Sequence, residues 1–440
     1  MRRIGKVGLC LEEDSTDVVE AGANFNDALE AELARSSADM GEESRAMEEL
    51  SDQMDAASEH ASDLIAINDV VESSTNDESS PNQTDMKMAS VAVESIRVKL
   101  GLSERKVSME AFSIYIPADI TRSVIDAIKR ILKAIVDGIA RFCEKIASFF
   151  KKSKAMDAVA DKKIEQTKSS IEQRVEEKKT SETPKSYKEP TIDPATFTTL
   201  AIGGEISPKT IEQITDNVKT AAKAVKQMST MIVSRAKEFE SVFEKVKLAI
   251  TKEEVNSLLD PFKLSQELRA PLEHLCKKLG DDLVFQISDR EMIIMGVNDA
   301  DATIASLKPR GMTNLDTRVH RAEFVKDTGD AKGDLQTMGI LLDAGKAKDE
   351  MTAACAGARE VGVELGKIAN KIRSNFGYFA EYDKHEHPGS VEHYKCNQIA
   401  LYMTVISSIT GAFIPHMQAV GYGHSMAVCG YVSHLDMSGI

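Results

Sequence analysis

His385, Glu386, His387, His393 and Cys396 lie close together, with His416, His424 and His434 further along the chain. Imidazole and thiolate are zinc ligands. His385 and His387 are two apart and followed by Pro388-Gly389, which is not a recurrent zinc spacing. These residues read as a polar loop, and no metal or other cofactor is assigned. Cys396 or Cys429 beside a histidine could imitate a thiol nucleophile, but an isolated cysteine more often packs as a small hydrophobe. Gly203-Gly204 lacks the Lys-Ser/Thr that completes a phosphate cradle. There is no HExxH, and no carboxylate pair has an acid–base spacing. The side chains therefore do not point to an enzyme.

The chemistry that does stand out is the breaking of one peptide bond. Residues 1–110 hold 25 Asp and Glu against 10 Lys and Arg, a net charge of −15. The whole chain is also −15, so residues 111–440 sum to zero. All the excess acid sits in one N-terminal quarter, which ends at Ser108-Met109-Glu110 directly before Ala111. An acidic segment of low hydrophobicity joined abruptly to a neutral, foldable body reads as a detachable piece. The acidic total argues against a dedicated nucleic-acid binder, though less so for the neutral remainder alone. The six cysteines contain no CxxC pair, which suits free thiols in a reducing cytoplasm. No secretory signal is expected, because the short apolar stretch after Arg2, Arg3 and Lys6 runs into Glu12-Glu13-Asp14.

The elements around that junction are mostly helical. At 440 residues, without Trp and with few aromatics, the composition favours helices over sheets. Residues 12–80 carry apolar positions such as Leu29, Leu33, Leu50 and Leu64, too sparse to build a core, and 73–83 reads as disordered. A weakly amphipathic helix is expected near 86–100. From Asp119 to Phe150 the spacing predicts a strong helix, with Val124, Ile128, Ile131, Ile135, Ile139, Phe142, Ile146 and Phe149 on one stripe. Pro117 and Asp119 suit its start. The rest of its surface is basic, including Arg122, Lys129, Arg130, Lys133, Arg141, Lys145, Lys151, Lys152 and Lys154. Such a helix either packs on protein or lies in a membrane interface. Residues 162–179 read as a solvated helix or linker, and Pro184, Pro190 and Pro194 mark a boundary.

Beyond it, Ser207 is an N-cap with Pro208 at the first helical position, opening a helix that continues towards Val246. Shorter helices are expected at 254–259 and 264–279. A β-hairpin is expected from 283–287 and 292–295 around Ser288-Asp289-Arg290-Glu291, then one or two helices over 331–376. From Cys396 to Leu435 there is no charged side chain other than histidine. Ser407, Ser408, Thr410, Gly411, Pro415, His416 and Gln418 interrupt that run, so a buried central helix is favoured over a membrane span.

The junction resembles proteins packaged inside the heads of giant phiKZ-like bacteriophages. In that family a prohead protease cuts after Glu in a small-residue-x-Glu motif and releases an acidic propeptide. Ser108-Met109-Glu110 fits the motif, and Ala111-Phe112 would begin the mature chain. Ala57-Ser58-Glu59, Ala92-Val93-Glu94 and Ser265-Gln266-Glu267 also fit, so position at the acidic-to-neutral boundary supplies the specificity. The basic helix ending in Phe149-Phe150-Lys151-Lys152 is also similar to that family, as is a mostly helical C-terminal domain that includes a short hairpin. The resemblance implies a virion structural protein, made in the host cytoplasm and carried inside the head, with ejection alongside the DNA as an open further step. The partners it implies are the prohead protease, a scaffold or other head proteins, and packaged DNA or a membrane. It carries over no catalytic residue.

The expected organisation is a mainly α chain in four parts. Residues 1–110 form a disordered or weakly helical acidic propeptide, and 111–155 a basic amphipathic helix. Residues 156–195 form a charged linker, and 196–440 a mostly helical domain with one short hairpin. A membrane-active protein using the basic helix and the uncharged C-terminal segment is the alternative.

Overall fold

The computed structural model describes residues 83–99, 117–180, 198–273, 275–279, 282–289, 292–296, 321–323, 331–381 and 391–437, with Val325 and scattered positions between 42 and 67. Its main elements are helices: α1 (Gln83–Lys99), α2 (Pro117–Thr180), α3 (Pro208–Leu248), α4 (Lys252–Leu258), α5 (Pro261–Glu273), α6 (Lys332–Cys355), α7 (Gly357–Glu381), α8 (Val391–Ser408) and α9 (Ile414–Met437). The expected mainly α class is observed. The described positions between 42 and 67 are helical too.

α3 shows how local sequence sets an element. Ser207 is extended, and its hydroxyl accepts from the Thr210 amide at 3.2 Å. The Thr210 hydroxyl in turn accepts from the Ser207 amide at 2.8 Å, closing a capping box in which Thr replaces the usual Glu. Pro208 occupies the first turn, where its missing N–H has no helical partner to lose. The helix then buries Ile211, Ile214, Val218, Val225, Met228, Ile232, Phe239, Phe243 and Val246 at steps of three, four or seven. That stripe packs on α6, α7 and α5.

α2 does not stop at 155. It runs unbroken through Thr180, across most of the stretch expected as a charged linker. Met156, Val159, Ala160 and Ile171 are buried there. These residues are few and mostly small, so a scan for large apolar side chains underweights them. They pack where α6 and α9 lie against the helix. Residues 181–195, which carry the proline boundary, lie outside the described residues.

The sheet content is small. β3 (Asp282–Gln286) and β4 (Met292–Gly296) pair antiparallel with Val284 opposite Ile294, as the hairpin reading requires. β2 (Lys277–Leu279) adds a third strand, with Lys277 opposite Val284. This corrects the helix expected over 264–279. α5 ends at Glu273 with Pro271 in its last turn, and the next residues pair with the edge of β3 instead. A second pair, parallel and unforeseen, joins β1 (Glu205–Ile206) to β5 (Arg321–Ala322). Before β1, Gly203 and Gly204 take positive φ values of 63° and 75°. The Asp289 carboxylate accepts both of their amides, at 2.9 and 2.6 Å, which ties this turn to the hairpin.

The uncharged C-terminal segment is internal. Met403, Ile406, Ile409, Phe413, Ile414 and Met417 are fully buried. α9 touches α2, α3 and α6, and a helix enclosed by others is apolar all round. A π-turn (Ile409–Phe413) separates α8 from α9 just before Pro415, which has no N–H to continue the regular ladder. No described helix is long and apolar enough to cross a membrane.

Candidate functional site

The long helix α2 and the junction before it are the parts of the chain singled out by sequence. Ser108, Met109, Glu110 and Ala111 lie between Lys99, the last residue of α1, and Pro117, the first of α2, and outside the described residues. The competing motifs are placed differently. Ala92, Val93 and Glu94 lie within α1, with Val93 buried. Ser265, Gln266 and Glu267 lie within α5, where Ser265 is buried and Glu267 pairs with Arg235 at 2.7 Å. Residues 57–59 are flanked by helical Ala56 and His60.

The acidic quarter is not wholly separate from the body. α1 packs on α2, and Leu64, Ala89, Val93 and Ile96 are buried in the main hydrophobic core. Their apolar residues are too sparse for a core of their own, but enough to extend that of the body.

Of the eight stripe residues on α2, Ile131, Ile139, Phe142, Ile146 and Phe149 are buried at no more than 2% exposure. The side chains of Val124, Ile128 and Ile135 lie outside the described residues. α7 covers much of the stripe and approaches closely. A Cβ built on Gly362 would lie only 2.9 Å from Ile146 Cγ2, so glycine is what permits the crossing. Outside the stripe α2 is basic, and Arg130, Lys133, Arg141, Lys151 and Lys154 are exposed.

Further along α2 a polar seam fixes its register against α6 and α9. The Gln418 amide donates to Tyr422 Oη at 3.0 Å and also to Ser153 Oγ. Tyr422 Oη donates to the Ser153 carbonyl at 3.3 Å. One turn on, the buried Lys348 ammonium meets Asp157 at 2.8 Å, Asp349 at 3.0 Å and also Asp161. Burial works against its charge, but these three carboxylates outweigh that and raise its pKa. The three aspartates are close enough together to hold a cation, and Lys348 already supplies one.

The histidine and cysteine candidates do not form a described cluster. His385, Glu386 and His387 lie outside the described residues, as do the side chains of His393, Cys396 and His434. His416 and His424 are on α9, the first half-buried and the second buried, and desolvation lowers both pKa values, His424 to about 4. His424 Nε2 meets Thr215 Oγ1 at 2.8 Å, while that hydroxyl donates to the Ile211 carbonyl. Nε2 therefore carries the proton, and Nδ1 is left buried without a partner. Burial pushes the Cys429 thiol up to about 11 and the Cys143 thiol up to about 12, the reverse of what a nucleophile needs.

The described part of the chain is a helical bundle built on one 64-residue helix, and the polar clusters around Ser153 and Lys348 join α2 to α9 and α6. A family comparison gives the class of the protein. The chain belongs to the phiKZ-like phage internal head proteins, whose family model matches residues 15–270. No curated protein and no solved structure matched the chain. The protein is therefore a virion structural protein located inside the phage head, where it associates with other head components. The match crosses the junction and continues through α3 and α4 into α5, so it covers the junction, the basic helix and the first part of the helical C-terminal domain. The β3–β4 hairpin lies beyond its end.

Proposed function

We propose that residues 1–110 act as a propeptide that brings the protein into the immature head, and that the prohead protease removes it by cutting after Glu110. The observation that carries this is the charge partition: residues 1–110 hold the entire −15, and residues 111–440 are neutral. The electrostatics agree. An acidic segment suits co-assembly with a basic partner, but DNA entering the head brings a dense array of phosphates that would repel it at short range. Cutting at Glu110 removes that charge in a single step.

Site choice is supported by the neighbouring elements. Proteolysis favours sites whose backbone is not committed to packed structure. Val93 and Ser265 are buried within helices, whereas Glu110 falls between α1 and α2. The test is a Glu110→Gln phage. Particles should then carry the uncut chain. Particles that still contain the shortened form would overturn this assignment.

The membrane-active alternative gains no support, because the described part of the α2 stripe is already covered by the protein's own helices.

A further inference from the structure

Between α2 and α7 runs a groove of about 350 Å³ that the proposed processing does not use. Ile146, Phe150 and the exposed Val363 give it an apolar lining, and Lys151, Lys154 and Arg359 supply cations. All three of these cationic side chains are on exposed residues, and none has an ion-pair partner among the described residues. On α7, Lys367 is paired with Glu364 and Lys371 with Glu240 and Glu244. An apolar channel with unpaired positive charges suits an acidic amphipathic segment better than a bare phosphate backbone.

The chain itself contains such a segment. Residues 12–41 hold nine Asp and Glu against Arg35 alone. Phe25, Leu29 and Leu33 recur every fourth residue among Asp27, Glu30 and Glu32. The segment is tethered to the body, since Leu64, downstream of it, is buried in the same large hydrophobic core as Phe150. Tethering raises the local concentration of such a segment to the millimolar range, so weak contacts are enough to hold it.

We propose that the α2–α7 groove is the docking site for residues 12–41 of the same chain. Phe25, Leu29 and Leu33 meet its apolar lining, and the flanking carboxylates meet Lys151, Lys154 and Arg359. The docked segment keeps these cations covered for as long as it stays attached. This holds for the uncut chain whether or not Glu110 is the cleavage site.

A zero-length carboxyl-to-amine crosslinker applied to the full chain tests it. Peptide mass spectrometry should find Lys151 and Lys154 joined to carboxylates of residues 12–39. The yield should be at least fivefold above that at Lys209 and Lys226, which are exposed on α3. Arg359→Glu with Val363→Asp leaves both amines in place and should reduce the yield at least fivefold. So should a second variant, Phe25→Ala with Leu29→Ala and Leu33→Ala. Arg359 and Val363 are exposed, and an unchanged urea midpoint will show that each variant is folded. Even crosslinking across all exposed lysines, or yields unaffected by both variants, would overturn the proposal. So would crosslinks that join labelled to unlabelled chains in an isotope mixture, because the occupant would then be a second copy.

Discussion

Replacing Phe142 with Ala separates a packed α2 from one whose apolar face serves a bilayer. Phe142 is fully buried, between Ile139 at 1% and Ile146 at 2% exposure. Truncating a buried phenylalanine removes its transfer free energy and leaves a cavity, together about 3–5 kcal/mol. The full chain carrying Phe142→Ala should lose that much stability in urea, with the midpoint lowered and the slope little changed. Arg141→Ala is the matched control. Arg141 is exposed and donates to the Asp137 carbonyl at a long 3.4 Å, so its loss should change stability by less than about 0.5 kcal/mol. Far-UV circular dichroism reads both. Had the stripe evolved for a membrane, Phe142→Ala would weaken flotation with anionic vesicles and leave unfolding unchanged. Equal urea midpoints for wild type and Phe142→Ala would refute the packing argument.

Three further outcomes follow from particular contacts. Gly362→Ala pushes a methyl to within 2.9 Å of Ile146 and should destabilise by about 1–3 kcal/mol in the same urea assay. Ser207→Ala removes one half of the capping box on α3 and should cost about 1 kcal/mol, read as a lower thermal midpoint. Burial holds the His424 pKa at about 4, below its unfolded value of about 6.5. Its contribution is therefore complete above about pH 6.5 and is lost as the pH falls towards 4, by roughly 3 kcal/mol. His424→Gln should flatten the stability profile between pH 6.5 and 4. A profile as steep as wild type would mean that other groups govern acid unfolding.

Much of this fold was legible because its signals were local. Ser207-Pro208, the α3 stripe and the alternation around Ser288 each specify an element without help from distant residues. The limits of α2 and α5 were not legible, because contacts decide them. Ala160 and Ile171 look incidental until α6 and α9 enclose them, and Lys277–Leu279 becomes a strand because β3 presents an edge. The β1–β5 pair joins two-residue segments far apart in sequence, too short for any periodicity. At the candidate site, residue types revealed the charge boundary and the stripe. Two further features had no sequence signal. Lys348 reads as a solvated charge until three carboxylates surround it, and the groove exists only where Gly362 lets α7 close on α2. Neither His416 nor His424 shows its burial in the sequence: His424 is buried against Thr215, and His416 is half-buried on the same helix.

The measurement that bears most directly on the central claim is the N-terminus of this protein in purified particles, read by peptide mass spectrometry. The account predicts a semi-specific peptide beginning at Ala111, with peptides from residues 1–110 missing. Peptides from the acidic quarter present in the same amount as those from the body would contradict it, and would make that quarter a permanent part of the mature protein.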